Sequence, residues 1–224
     1  MAGHKVVVFD LDDTLYKEID FLKSAYRHIA SLVSNCHVPE NEVYQLLWDT
    51  YKQNGNAFET VIKHYGFLLY TVQWMLDVYH NHKPSISLDE DTLGTLERLK
   101  DNGITLCIVS DGRRVQQMNK IEALGLKNYV CKDDIIINTD AGRIKPDLRS
   151  FRSFMKKYGK GCDYWYVGND TAKDFIAPNS LKWGTVCLLD DGRNIHRQTF
   201  AIQTLSMPNV IIRELSELLN VLNI

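Results

Sequence analysis

Lys5-Val6-Val7-Val8-Phe9-Asp10-Leu11-Asp12-Asp13-Thr14-Leu15 is the stretch whose reading decides the fold. Its opening residues are mostly apolar and β-branched, as in a strand buried on both faces. The run then ends in acid. Asp10 and Asp12 stand two apart, so in extended chain their side chains point the same way. Two carboxylates at the mouth of a buried strand are costly unless something compensates them. A divalent cation is the usual compensation, and hard oxygen donors suit magnesium. The same residues also allow a plainer reading, a strand followed by an Asp-rich turn.

The rest of the composition narrows the class. With 224 residues the chain can bury a large core, as one large domain or two smaller ones. A formal net charge of -2 and a pI near 6.4 argue against a nucleic-acid footprint, which is strongly basic. No apolar run approaches the roughly 18 residues needed to cross a bilayer. Met1-Ala2-Gly3-His4-Lys5 leads into an apolar run too short for a signal-peptide core. With no lipidation signature either, the expectation is a cytoplasmic protein without a membrane partner. Cys36, Cys107, Cys131, Cys162 and Cys187 are odd in number and contain no Cys-x-x-Cys pair, so neither a disulfide framework nor a zinc site is suggested. His80-Asn81-His82 lacks further ligands nearby and reads as a polar helix end.

After Asp12 the periodicity changes. Residues 18–82 read as helical throughout, with Pro39 opening a second helix, Gly55-Asn56 breaking it, Gly66 ending a third and Pro84 closing the segment. Roughly half of the aromatics fall here. They read as the core of a small helical bundle, with one or two free to line a pocket. From Ser87 the chain returns to alternation. A helix over 88–102 capped by Ser87 precedes a buried strand over 104–109 and a helix over 113–124. One or two short strands follow over 129–137, then a helix begun by Pro146 and reaching about Tyr158. Further strands are expected over 164–167 and 185–189, and a short strand and helix over 210–222. Strand and helix alternating at this spacing mean a parallel sheet with helices on both faces. The fold class is therefore α/β, a Rossmann-like doubly wound parallel sheet.

In such a sheet, ligands bind outside the carboxyl ends of the strands. Four positions deliver polar groups to that edge: Asp10 with Asp12, Ser110, Lys145, and Asp170 with Asp174. On the bland side, Ser110 could cap a helix, Lys145 could be a solvated loop lysine, and Asp174 could be a helix-start acid. Together, in this order, they form a specific pattern.

The pattern resembles the haloacid dehalogenase superfamily in its phosphatase branch. Asp10-Leu11-Asp12-Asp13-Thr14-Leu15 is similar to the family's first motif, Val109-Ser110-Asp111-Gly112 to the second, Lys145-Pro146 to the third, and Gly168-Asn169-Asp170-Thr171-Ala172-Lys173-Asp174 to the fourth. One departure is that Asn169, not an acid, follows the motif glycine. The resemblance covers essentially the whole chain. It implies a catalytic core of residues 1–16 and 85–224, and a helical C1 cap of residues 17–84. It further implies a phosphoric monoester hydrolase that uses magnesium and passes through an aspartyl phosphate. Asp10 is then the nucleophile, Asp12 the acid and base, and Lys145 the stabilising cation. Ser110 and the backbone of Asp111 and Gly112 bind phosphate beside Lys145. Asp10, Asp170 and the carbonyl of Asp12 hold the metal, with Asp174 a second ligand or a partner of one.

The expected partner is a small phosphate ester: a nucleotide, a sugar phosphate or phosphoglycolate. The aromatic-rich insert leans toward nucleotides through stacking. A phosphomutase shares the same motifs and stays open, as do a phospho-acceptor domain and a binding or regulatory protein without turnover. A dinucleotide-binding dehydrogenase is disfavoured, because no Gly-x-Gly-x-x-Gly follows the first strand. Oligomeric state cannot be read from these residues.

Overall fold

The computed structural model of the protein describes residues 3–35, 37–201 and 203–224, so Cys36 lies outside the described residues. Its strands are β1 (Lys5–Phe9), β2 (Thr105–Ser110), β3 (Ile135–Ile137), β4 (Asp163–Gly168), β5 (Gly184–Leu188) and β6 (Val210–Ile212). Among the described residues these form one sheet of six strands in the order β3-β2-β1-β4-β5-β6, with every neighbouring pair parallel. The chain builds outward from β1 in one direction, then returns to the other side of it. That reversal beside β1 is the topological switch point, where open α/β sheets bind ligands.

The side chains of β1 alternate across the sheet. Val7 and Phe9 join Leu106, Ile108, Val167 and Val186 on one face. Val6 and Val8 join Cys107, Val109, Phe151, Tyr166 and Phe175 on the other. Both layers are solid because each strand is apolar on both sides, as a buried parallel strand must be. Cys107 and Cys187 are small members of this interior.

Four helices follow β1: α1 (Glu18–Val33), α2 (Glu40–Lys52), α3 (Ala57–Tyr65) and α4 (Val72–Asn81). They enclose a third apolar cluster around Tyr26, Ile29, Val33, Val43, Leu47 and Met75, against which most of the aromatics pack. Asn56 and Thr71 cap α3 and α4 by accepting from Glu59 N–H and Trp74 N–H. This packing does not divide sharply at residue 17: Phe21 lies in the sheet-side cluster and Tyr79 packs against it.

The remaining helices are α5 (Glu90–Asp101), α6 (Arg114–Ala123), α7 (Leu148–Tyr158), α8 (Ile176–Ser180) and α9 (Glu217–Val221). Two starts differ from the sequence reading. Asp89, not Ser87, caps α5, its carboxylate accepting from Thr92 N–H at 2.8 Å. Asp147 caps α7, accepting from Arg149 N–H at 2.7 Å, which leaves Pro146 outside the helix. A carboxylate also answers the positive helix end, which a Ser hydroxyl does less well. Residues 129–137 hold one strand, β3. Among the described residues no helix is long and apolar enough to cross a membrane.

The cap assignment is testable. Asp89→Ala should cost about 1 kcal/mol in denaturant unfolding, while Ser87→Ala should cost almost nothing. Equal losses from the two variants would return the cap to Ser87.

Candidate active site

Each strand of the switch region delivers one piece of a cavity of about 230 Å³. Asp10 follows β1, and its N–H still donates to Val167 O at 2.8 Å, so the ladder to β4 fixes where its side chain starts. Ser110 is the last residue of β2. Asn169 and Asp170 follow β4, and Lys145 precedes α7. Asp10, Asp12, Ser110, Asp111, Gly112, Lys145 and Asp170 all line the cavity. The structure thus brings together every sequence-selected site residue except Asp174.

Asp174 lies behind the cavity wall, fully buried. Its Oδ1 receives Lys145 Nζ at 2.7 Å and Tyr166 OH at 3.3 Å. Its Oδ2 receives the N–H groups of Asn169 and Asp170 at 3.1 and 2.9 Å. With both oxygens taken, Asp174 braces the lysine and the loop, so of its two expected roles the geometry favours partner over direct ligand. Gly168 makes this possible: a Cβ there would stand 2.5 Å from Asp174 Oδ2. The loop that Asp174 folds presents Asp170 to the cavity, where its carboxylate accepts from Ala172 N–H and faces Lys173 Nζ at 3.5 Å.

Lys145 is the central cation. Its Nζ reaches Asp10 Oδ1 at 2.8 Å and Tyr166 OH at 3.2 Å. Burial disfavours a charged amine, but the Asp10 and Asp174 carboxylates outweigh it and hold the ammonium well above its usual range. Asp10 shares this one cation with Asp174, and burial pushes it up to about 7. Asp12 goes the other way: burial would raise it, but Lys120 Nζ at 2.7 Å, together with hydrogen bonds from Tyr16 and Gln117, holds it below the usual range.

The second-motif loop is braced as well. Asp111 accepts from Asn138 Nδ2 at 2.7 Å and from Lys145 N–H at 3.2 Å, so its side chain shapes the loop. Gly112 N–H donates to Thr139 Oγ1 at 3.2 Å, a long bond that a better acceptor can displace. Gly112 has φ of +127°, a conformation that L side chains rarely adopt.

Several residues that line the cavity or bond to its lining escaped the sequence reading. Glu18 opens α1 and His196 comes from the loop after β5. Gln117 and Lys120 are buried on the inward side of α6. The signal for the last two was the near absence of an apolar face along Arg113-Arg114-Val115-Gln116-Gln117-Met118-Asn119-Lys120, in a helix that must pack on a sheet.

The donor set suits a hard cation. Among the described residues, the carboxylates of Asp10, Asp12, Asp13, Glu18, Asp111 and Asp170 line the cavity against two lysines, Lys145 and Lys173. The excess of negative charge shows in Glu18, which burial and then Asp12 push from 4.5 up to about 8. Among the described residues no three such groups yet converge on one point, because Asp10, Asp12 and Asp170 each turn toward a lysine. The acidic donors are hard oxygens, which suit magnesium.

Comparison with known proteins gives a family match, relatives and fold neighbours. The haloacid dehalogenase-like hydrolase family matches residues 7–186. A glyceraldehyde 3-phosphate phosphatase of Methanocaldococcus jannaschii is 30% identical over 198 residues, covering 83% of this chain and 85% of the relative. Its counterpart from Methanothermobacter thermautotrophicus is 25% identical over 97% of this chain and 99% of its own. The crystal structure of the hydrolase YfnB from Bacillus subtilis, bound to magnesium, superposes with a TM-score of 0.66 at 18% identity and covers 99% of this chain and 100% of that one.

Glu18 gives a pH-dependent prediction. Between 4.5 and about 8 the folded chain keeps a proton on Glu18 that the unfolded chain has lost. Stability from this group is therefore complete below 4.5 and drains away as pH rises through about 8. In chelator, the melting temperature of Glu18→Gln should exceed that of wild type by a margin that grows from pH 5 to pH 9. A constant margin would remove Glu18 from the excess charge.

Proposed function

The chain belongs to the haloacid dehalogenase-like hydrolases, and from that membership we propose that it is a magnesium-dependent phosphatase of small sugar phosphates. One observation carries the reading: at the switch point a buried ammonium, Lys145, joins Asp10 to the wall of a cavity that Asp12, Ser110 and Asp170 also line. The cavity is smaller than the roughly 300–1,000 Å³ typical of drug-sized ligands, which suits a triose or pentose phosphate.

Asp10 is the nucleophile in this reading. It attacks phosphorus, the ester P–O bond breaks, and the leaving oxygen takes a proton supplied through Asp12. Lys145 stabilises charge on Asp10 and the phosphoryl oxygens. The Ser110 hydroxyl and the Asp111 and Gly112 N–H groups hold those oxygens. Held by Asp10, Asp170 and the Asp12 carbonyl, magnesium would offset repulsion between carboxylate and phosphate dianion and orient the phosphoryl group. Asp12 then takes a proton from the water that hydrolyses the aspartyl phosphate. Residues 17–84 are the cap, excluding bulk water when closed.

Substrate preference shifts away from nucleotides. That lean rested on aromatic rings, and those rings pack on one another and on the helical core, as Tyr26 does on Tyr51 and Phe58. No ring of Phe, Tyr or Trp is among the described residues lining the cavity. The two archaeal relatives are named for a triose phosphate. Asp12 also favours phosphate esters over haloacids, since a halide departs without a proton.

A panel of triose, pentose and nucleoside phosphates and phosphoglycolate, assayed for inorganic phosphate, tests this. Sugar phosphates should be turned over best, EDTA should abolish activity, and added magnesium should restore it. Asp10→Asn should lose roughly a thousandfold or more in kcat. Wild-type rates in that variant, or indifference to EDTA, would end the proposal.

A further inference from the structure

Lys120 is a buried lysine that the mechanism above does not use. Its side chain is 1% exposed, deep on the inward face of α6. Burying an ammonium costs several kcal/mol unless partners repay it. Its partners come from the chain entering the helical segment. Nζ donates to Asp12 Oδ1 at 2.7 Å, stands 3.8 Å from Glu18 Oε1, and sits 4.3 Å from the centre of the Phe21 ring.

Asp12 is held from three directions. Lys120 and the Tyr16 hydroxyl both donate to Oδ1. Gln117 Nε2 donates to Oδ2 at 2.7 Å and also to Ser110 Oγ at 2.6 Å. These donors reach both carboxylate oxygens, from α6 and from the turn after β1, and so fix the rotamer of Asp12.

We propose that Lys120, with Tyr16 and Gln117, positions Asp12 as the base for the second half of the reaction, hydrolysis of the aspartyl phosphate. This rests on the phosphatase reading above. In that half, a water oxygen forms a bond to phosphorus and the bond from phosphorus to Asp10 oxygen breaks. Asp10 leaves as carboxylate with the electron pair. The water proton passes to Asp12 and then to solvent, and inorganic phosphate is released. Lys120 is not among the described residues lining the cavity, so it acts through Asp12 and is a positioning residue.

An aryl ester separates the two halves. The leaving group of p-nitrophenyl phosphate departs as a stable anion, so phosphorylation of Asp10 needs no proton from Asp12. Rapid mixing with magnesium therefore reads the first half as a burst and the second as the steady state. Lys120→Met should keep a burst approaching one nitrophenolate per site while the steady-state rate falls about 100-fold, within the usual value of acid–base assistance. Asp12→Asn should show the same pattern and serves as the reference. Tyr16→Phe, which keeps the ring and removes only the hydroxyl, should shift the ratio of burst to steady state the same way by about fivefold. It decides the matter if Lys120→Met does not fold.

A purely structural role would slow burst and steady state by the same factor, and that result overturns the inference, as does an unchanged ratio. Wild-type protein that releases no nitrophenolate with magnesium would instead defeat the phosphatase reading itself.

Discussion

One buried ammonium ties the functional end of this sheet together. Lys145 Nζ stands 2.8 Å from Asp10 Oδ1 and 2.7 Å from Asp174 Oδ1, with all three side chains almost closed to solvent. Removing one member of such a group leaves an uncompensated interior charge, which costs about 3–5 kcal/mol. The group therefore constrains the chain as well as the chemistry. It requires the end of β1, the loop before α7 and the segment after β4 to meet at one place. A parallel sheet satisfies that requirement without strain, because all its strands deliver their carboxyl ends to the same edge.

The same triad leaves a deficit. Two carboxylates share a single cation, and further acids line the cavity in front of them. Burial pushes Asp10 up to about 7. Asp174 has further donors, because the N–H groups of Asn169 and Asp170 converge on it. The two acids that share Lys145 differ in exposure to reagents: Asp10 faces the cavity and Asp174 faces the protein. Their surroundings, rather than residue type, separate reactive group from brace.

Much of this was legible in the amino-acid order. The five residues before Asp10 could only be a buried strand, and motif spacing placed Ser110, Lys145 and Asp170 at its edge. α3 came out at its observed bounds because Asn56 and Gly66 are strong local signals. Other features depend on contacts distant in sequence. Whether Asp89 or Ser87 caps α5 turns on where the extended chain through 82–89 releases into helix. The role of Asp174 turns on the missing Cβ of Gly168, a relation between loop and strand that spacing alone does not encode. Lys120 reaches Asp12 across 108 residues, and in the sequence it resembles any helix lysine.

Asp10 and Asp12 are chemically identical and two residues apart, yet their surroundings drive them in opposite directions. Burial pushes Asp10 up against the pull of Lys145, while Asp12 is held down by its own lysine. Pairs of titratable groups forced apart in this way mark acid–base sites. The sense of the difference matters here. Asp12 has a cation of its own in Lys120, whereas Asp10 shares Lys145 with Asp174, and the further charge Asp10 can use is of the kind a divalent ion supplies, in the cavity that Asp170 also lines. On the proposed reading, Asp10 becomes a competent nucleophile only when that ion and a phosphate arrive together, while Lys120 holds Asp12 in place through both halves of the reaction. The two acids can then act in sequence without competing for one source of positive charge.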